Sequence, residues 1–123
     1  FITFDYGDIY PRNDFSSRIY ENHKVFPLFE ENLSLKDLCK NSDITYDVNF
    51  KHLIDIFQSQ DNTKVEYKTQ MKALIEFGIL DLLEILKDKA GETAYLKEIQ
   101  KVKILIEPTG MGDRFKMLKV SKI

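Results

Sequence analysis

The stretch "MKALIEFGILDLLEI", Met71 to Ile85, constrains the chain most, because an apolar helical pattern meets a glycine inside it. Beyond Gly78, the residues Ile79, Leu82, Leu83 and Leu86 fall at helical spacings of three and four. A half-buried strand would alternate instead, and Leu80, Leu82 and Leu83 do not alternate cleanly against Asp81 and Glu84. Leu, Glu, Asp and Lys also lack the β-branched bias of strands. The spacing predicts a helical path, continuous or broken once, from Lys64 to Lys87. A glycine costs about 1 kcal/mol against alanine inside a helix. Gly78 therefore either permits a close helix crossing or ends one helix before the next.

The remaining pattern is read in the same way. "FITFDY" is rich in Phe, Tyr, Ile and Thr and predicts a short strand, closed by Gly7 and Pro11. Phe15, Ile19, His23 and Phe26 mark one face of a helix capped at Asn13 or Asp14 and stopped at Pro27. "SLKD", from Ser34, has capping-box spacing and opens a short helix through Leu35, Leu38 and Cys39. Thr45 or Asp47 caps a helix with Phe50, Leu53, Ile54 and Phe57 on one face. "TKVE", from Thr63, reads as a second capping box ahead of Tyr67, Met71, Leu74 and Ile75. Gly91 breaks the pattern, and Tyr95, Ile99, Val102 and Ile106 keep helical phase up to Pro108. "RFKMLKVSKI" has no clean period. Phe57, Leu74, Leu83 and Ile99 sit at the centres of their apolar faces and are expected to share one core.

These elements predict a mainly α fold: a compact multi-helix single domain over residues 1–123, with a small terminal β element and a C-terminal hairpin left open. The length allows one proper core. No apolar run approaches the ~18 residues of a membrane span, and the first ten residues carry two acids and no basic leader. A soluble, cytoplasmic protein without a membrane partner is expected. The single Cys39 excludes an internal disulfide and a multi-cysteine zinc site, and its setting suggests a buried small hydrophobe.

Catalytic patterns are not found. His23 and His52 lack ligands at metal spacing, and His23 reads as a hydrogen-bonded core residue. "TGMGD" lacks the Lys-Ser/Thr ending of a phosphate loop. Asp5, Asp8 and the Glu30–Glu31 pair read as solvated acids. Tyr6, Tyr10, Phe15, Tyr20 and Phe26 read as core aromatics, with a binding surface as the alternative. No cofactor and no enzyme activity is expected.

The net charge of −2 hides an asymmetry: residues 97–123 carry seven basic groups and three acids, so the preceding part is acidic. "LIEFGI", Leu74 to Ile79, resembles the end of a winged-helix recognition helix. That resemblance implies a DNA binder with helix 64–77 in the major groove and a basic C-terminal wing. Arg114, Lys116, Lys119 and Lys122 would then contact phosphates. "ALIEFGILDLLEIL" resembles an armadillo-type junction, which implies helix packing. By elimination, the leading expectation is a non-enzymatic protein-binding regulator, an adaptor, inhibitor or immunity-type protein. It would meet a protein partner through an acidic, partly aromatic helical surface; the winged-helix reading is the alternative.

Overall fold

A computed structural model describes residues 1–10, 16–29 and 34–123. Its architecture is mixed α/β and not mainly α. Among the described residues seven strands form two sheets, one with order β5-β1-β7-β6 and one with order β3-β2-β4. The larger sheet contains β1 (Ile2–Asp8), β5 (Val48–Asn49), β6 (Thr63–Thr69) and β7 (Phe115–Lys122). The smaller contains β2 (Arg18–Glu21), β3 (Lys24–Pro27) and β4 (Asp43–Thr45). The helices are α1 (Leu35–Leu38), α2 (Phe50–Gln58), α3 (Gln70–Glu76), α4 (Ile79–Ala90) and α5 (Glu92–Ile106).

The terminal strands β1 and β7 do pair, but as the middle of a four-stranded sheet. Strand β7 is antiparallel to both neighbours, with Leu118 opposite Thr3 on one side and Tyr67 on the other. It has no legible period because both its faces are covered: the adjacent residues Met117 and Leu118 are both fully buried.

Strand β6 overturns the predicted capping box at Thr63. Lys64, Glu66 and Lys68 alternate with Val65, Tyr67 and Thr69, a period of two with β-formers on one face. The cap lies six residues later: the Thr69 hydroxyl accepts the Lys72 N–H at 3.3 Å and opens α3. The predicted helix ending at Pro27 is instead the β2–β3 hairpin, and its start at Asn13 to Phe15 lies outside the described residues. Asn22 and His23 both take positive φ, 48° and 62°, as a two-residue hairpin turn requires. His23 is therefore an exposed turn residue, and Cys39 is exposed too.

Gly78 resolves as a joint. It takes φ 86° and ψ 28°, closes α3 by donating its N–H to Ile75 O at 3.0 Å, and starts α4 by accepting from Leu82. The helix predicted beyond it is present, but residues 63–69 are a strand, so no helix runs over 64–77. This removes the recognition helix of the winged-helix reading. The expected common core divides as well. Phe57 packs on Phe1, with ring centroids 5.7 Å apart, and α2 covers the sheet face that carries Tyr67. Leu83 and Ile99 line a groove between α4 and α5.

Candidate functional site

Strand β1 ends at a feature the sequence shows but does not interpret, "YGD". Gly7 has φ 152°, and a Cβ there would lie 2.1 Å from the Val48 carbonyl oxygen. Only glycine lets β5 approach this closely, in parallel register with Gly7 opposite Val48. The approach anchors the segment from Asp47 to α2 beside the end of β1.

A cleft of about 580 Å³ opens there. Tyr6, Gly7 and Asp8 come from β1, with Tyr10 following. Arg18 and Asp47 come from the smaller sheet and the link before β5, and Asp113, Arg114 and Lys116 from the approach to β7. A second hollow of about 300 Å³ shares Tyr6 and Arg18 and adds Tyr20, Asp43 and Thr45.

Arg18 ties these parts together. Its Nη1 donates to Asp47 Oδ1 at 2.8 Å and to Ser16 O at 3.0 Å, while Nε donates to the Tyr20 hydroxyl at 3.0 Å. These bonds to Tyr20 and Asp47 raise its pKa further above the ordinary range. Asp47 is fixed in turn, its N–H donated to Ser16 Oγ at 3.1 Å. On the opposite wall, Tyr6 packs on Phe115 with ring centroids 3.9 Å apart, and Lys116 Nζ donates to the Asp113 carbonyl.

Asp8 sits at the mouth of the cleft and is exposed. Its Oδ1 accepts the Ile9 N–H at 2.7 Å, which fixes the carboxylate, and among the described residues Oδ2 has no hydrogen bond. Beneath it lies Tyr67, whose hydroxyl is buried without a hydrogen-bond partner among the described residues. Burial first, then the Asp8 carboxylate, pushes the Tyr67 pKa up to about 12, against the nearby Ile9 N–H, which favours the ionised form. The phenol thus stays protonated at neutral pH. Thr45, beside Arg18 in the smaller sheet, holds a second buried hydroxyl without a partner among the described residues.

Of the four predicted basic contacts, Arg114 and Lys116 line the cleft. Lys119 lies on the other face of β7, 3.4 Å from Glu66, and Lys122 ends the strand. At about 3.3 Å per residue, Lys116 and Lys122 stand roughly 20 Å apart, so the four do not form one patch. Asp8 belongs to the cleft and Asp5 does not. Glu30 and Glu31 lie outside the described residues. Tyr6, Tyr10 and Tyr20 are exposed around the two hollows and not core residues. Arg18 and Asp47 carry no local signal, being 29 positions apart. The one legible hint was a strand closing on glycine and an acid. Among the described residues no group of His, Cys, Asp and Glu has metal-site geometry, and no helix is long and apolar enough to cross a membrane.

The fold is shared with solved structures. Over 99% of its length the chain is similar to an uncharacterized ACR, COG1565 superfamily protein from Burkholderia thailandensis, with TM-score 0.72 and 21% identity. Over 98% it is similar to a COG1565 superfamily member from the same organism, proposed to be a methyl transferase and bound to S-adenosyl-homocysteine, with TM-score 0.73 and 22% identity. The chain spans about a third of each of those proteins, 32% and 31%. It matches no family model and no curated protein. The shared α/β fold overturns the helical regulator and the winged helix alike. It also removes the ground for expecting no enzyme, which was a helical chain without a catalytic motif.

Proposed function

We propose that this chain forms the acceptor-side wall of a methyl-transferring enzyme. The observation that supports it most is the place of the cleft. Charged, aromatic and exposed, it sits at the C-terminal end of β1, in a fold shared with a protein that holds S-adenosyl-homocysteine.

S-adenosyl-homocysteine is an adenine, a ribose diol and an amino-acid zwitterion. The cleft could meet the zwitterion with Asp113, Arg114 and Lys116. It has no glycine-rich turn joining a strand to a helix, the feature that brings backbone close to such a nucleotide. Its walls mix charged side chains with the rings of Tyr6 and Tyr10. The described residues do not fit a complete site for that group, and we assign them to the acceptor.

A nitrogen or oxygen acceptor must lose a proton as it gains a methyl group. Asp8 Oδ2 would take it as the methyl–sulfur bond breaks, with the carboxylate held by Ile9 N–H. The Tyr6 and Tyr10 rings would flank the acceptor, and Arg18, locked by Asp47 and Tyr20, would hold the wall in shape. The test is transfer of labelled methyl from S-adenosylmethionine by the intact protein to candidate nitrogen and oxygen acceptors. Asp8→Asn should lower turnover by about 10²-fold or more while S-adenosyl-homocysteine binding is kept. Loss of that binding in the variant would move Asp8 to the cofactor. No transfer and no binding by the intact protein would overturn the proposal.

A further inference from the structure

Among the described residues, Gln70 is the one buried residue with a polar side chain, at 6% exposure. A buried amide is costly unless it is bonded. Its Nε2 donates to the Leu105 carbonyl at 2.8 Å, across 35 positions of the chain. Leu105 lies in the last turn of α5, where the final four carbonyls have no partner within the helix. The bond therefore serves both groups. Its place gives it a second consequence. Gln70 directly follows Thr69, and Thr69 pairs with Lys116 of the cleft.

The chain leaves the larger sheet after Thr69, runs through α3, α4 and α5, and re-enters it at Phe115. Two contacts close the neck of this excursion. One is the Gln70 bond. The other is Gly112, buried against the end of α5, where a Cβ would lie 2.3 Å from the Ile106 carbonyl oxygen. The turn between them is tight: Gly110 and Gly112 both donate their N–H to the Glu107 carbonyl at 3.0 Å. Asp113 and Arg114 follow at once, then Lys116, and all three line the cleft. Holding Leu105 and Ile106 against the start of α3 thus fixes where this wall of the cleft begins.

We infer that Gln70 is a positioning residue of the cleft: its amide ties the end of α5 to the start of α3, and so sets the wall formed by Asp113, Arg114 and Lys116. Gln70 itself lies outside both hollows, so it acts through the wall and not on a ligand. The role needs a donor. Methionine would keep the volume but leave the Leu105 carbonyl unpaired. Glutamate would keep the length but, when ionised, turn an acceptor toward that carbonyl. Only the identity of what the wall holds, a methyl acceptor, rests on the methyl-transfer reading.

Amide resonances of the intact protein, recorded well below its melting midpoint, test this. In Gln70→Met the Gly112, Asp113 and Arg114 amides should shift, and by more than those of Ile2, Thr3 and Phe4 in β1. Gln70→Glu gives a second variant and should move the same amides at alkaline pH, where its carboxyl is ionised. Phe57→Ala is the control. It loosens the opposite end of β1 through its contact with Phe1 and should leave the cleft amides in place. Cleft amides that stay put in both Gln70 variants would overturn the inference, as would equal shifts in Phe57→Ala, which would mark general loosening. In the labelled-methyl assay Gln70→Met should raise the acceptor KM by about tenfold, the size of one lost hydrogen bond, with kcat little changed. A lower kcat at unchanged KM would overturn the positioning role. The resonances need no substrate. A protein that transfers no methyl group therefore fails the earlier reading alone, and the shifts still decide this one.

Discussion

The four-stranded sheet and the α4–α5 hairpin are opposites in what they show on the surface of the sequence and what they bury. The hairpin's helices follow their apolar spacing faithfully, yet α5 has no buried residue and α4 has one, Leu83. Leu82, Leu96 and Ile104 are 62%, 54% and 59% exposed. The sheet has the weakest pattern, yet it holds Met117 and Leu118, and Phe50 closes over Tyr67 with ring centroids 5.4 Å apart. Periodicity reports which local conformation a segment prefers. It does not report where the core is, which here depends on β1 and β7 meeting across more than a hundred residues.

The largest expected effect lies in the sheet. Leu118→Ala removes a fully buried side chain between two neighbouring strands and should cost about 3–5 kcal/mol in chemical denaturation. A loss below about 1 kcal/mol would mean that the sheet is not the core. Next comes Gly7→Ala. The added Cβ would meet the Val48 carbonyl at 2.1 Å, at a φ that L-residues rarely adopt. We expect about 2–4 kcal/mol from steric overlap and backbone strain together. Asp8→Asn would leave Gly7 as it is and should cost little, so a comparable loss there would assign the effect to the cleft's charges.

Leu83→Ala sharpens the contrast from the other side. Leu83 is 7% exposed, but it borders a groove of about 380 Å³ between α4 and α5. Water already reaches part of that groove, so truncation creates less new void than in a closed core. The expected cost is about 2–3 kcal/mol, at the lower end for leucine truncation and below that of Leu118→Ala. Equal costs in one denaturation series would erase the distinction between the two regions.

What could be read in advance follows the same division. The helices α4 and α5, the Gly78 joint and the strand "FITFDY" rest on local signals, and each lies where its pattern places it. Strand β6 was legible in principle: Val65, Tyr67 and Thr69 alternate with charges, but Thr63 and Glu66 also match a capping box, and the shorter motif masked the longer period. The β2–β3 hairpin was hidden by Ile19, His23 and Phe26, whose helical spacing is accidental. Its turn needs only Asn22 and His23 at positive φ, which no apolar pattern reveals. Of the cleft, Tyr6, Gly7 and Asp8 were visible as a strand end. Arg18 and Asp47 became neighbours only through pairing of β2 with β4, a tertiary event without a sequence spacing of its own.

The smallest effect separates the buried side of the sheet from its cleft. Tyr67→Phe removes a hydroxyl that has no hydrogen-bond partner among the described residues. At neutral pH the change in stability should stay within about 1 kcal/mol, because the one backbone donor near the hydroxyl, the Ile9 N–H, is already bonded to Asp8 Oδ1 and a buried polar atom is removed. The pH dependence should differ more clearly. The folded-state pKa of Tyr67 is raised from 10.0 to about 12 by burial and then by Asp8. The folded protein therefore holds the phenolic proton more tightly than the unfolded chain. The resulting stabilisation is fully present below pH 10 and is lost as pH rises through about 12. Denaturation midpoints measured across this range should fall more steeply for the native protein than for Tyr67→Phe. Asp8→Asn removes the second cause but leaves burial, so its curve should lie between the two. If the native protein and Tyr67→Phe trace parallel curves, the hydroxyl is solvated, and the link between the cleft carboxylate and the sheet interior is absent.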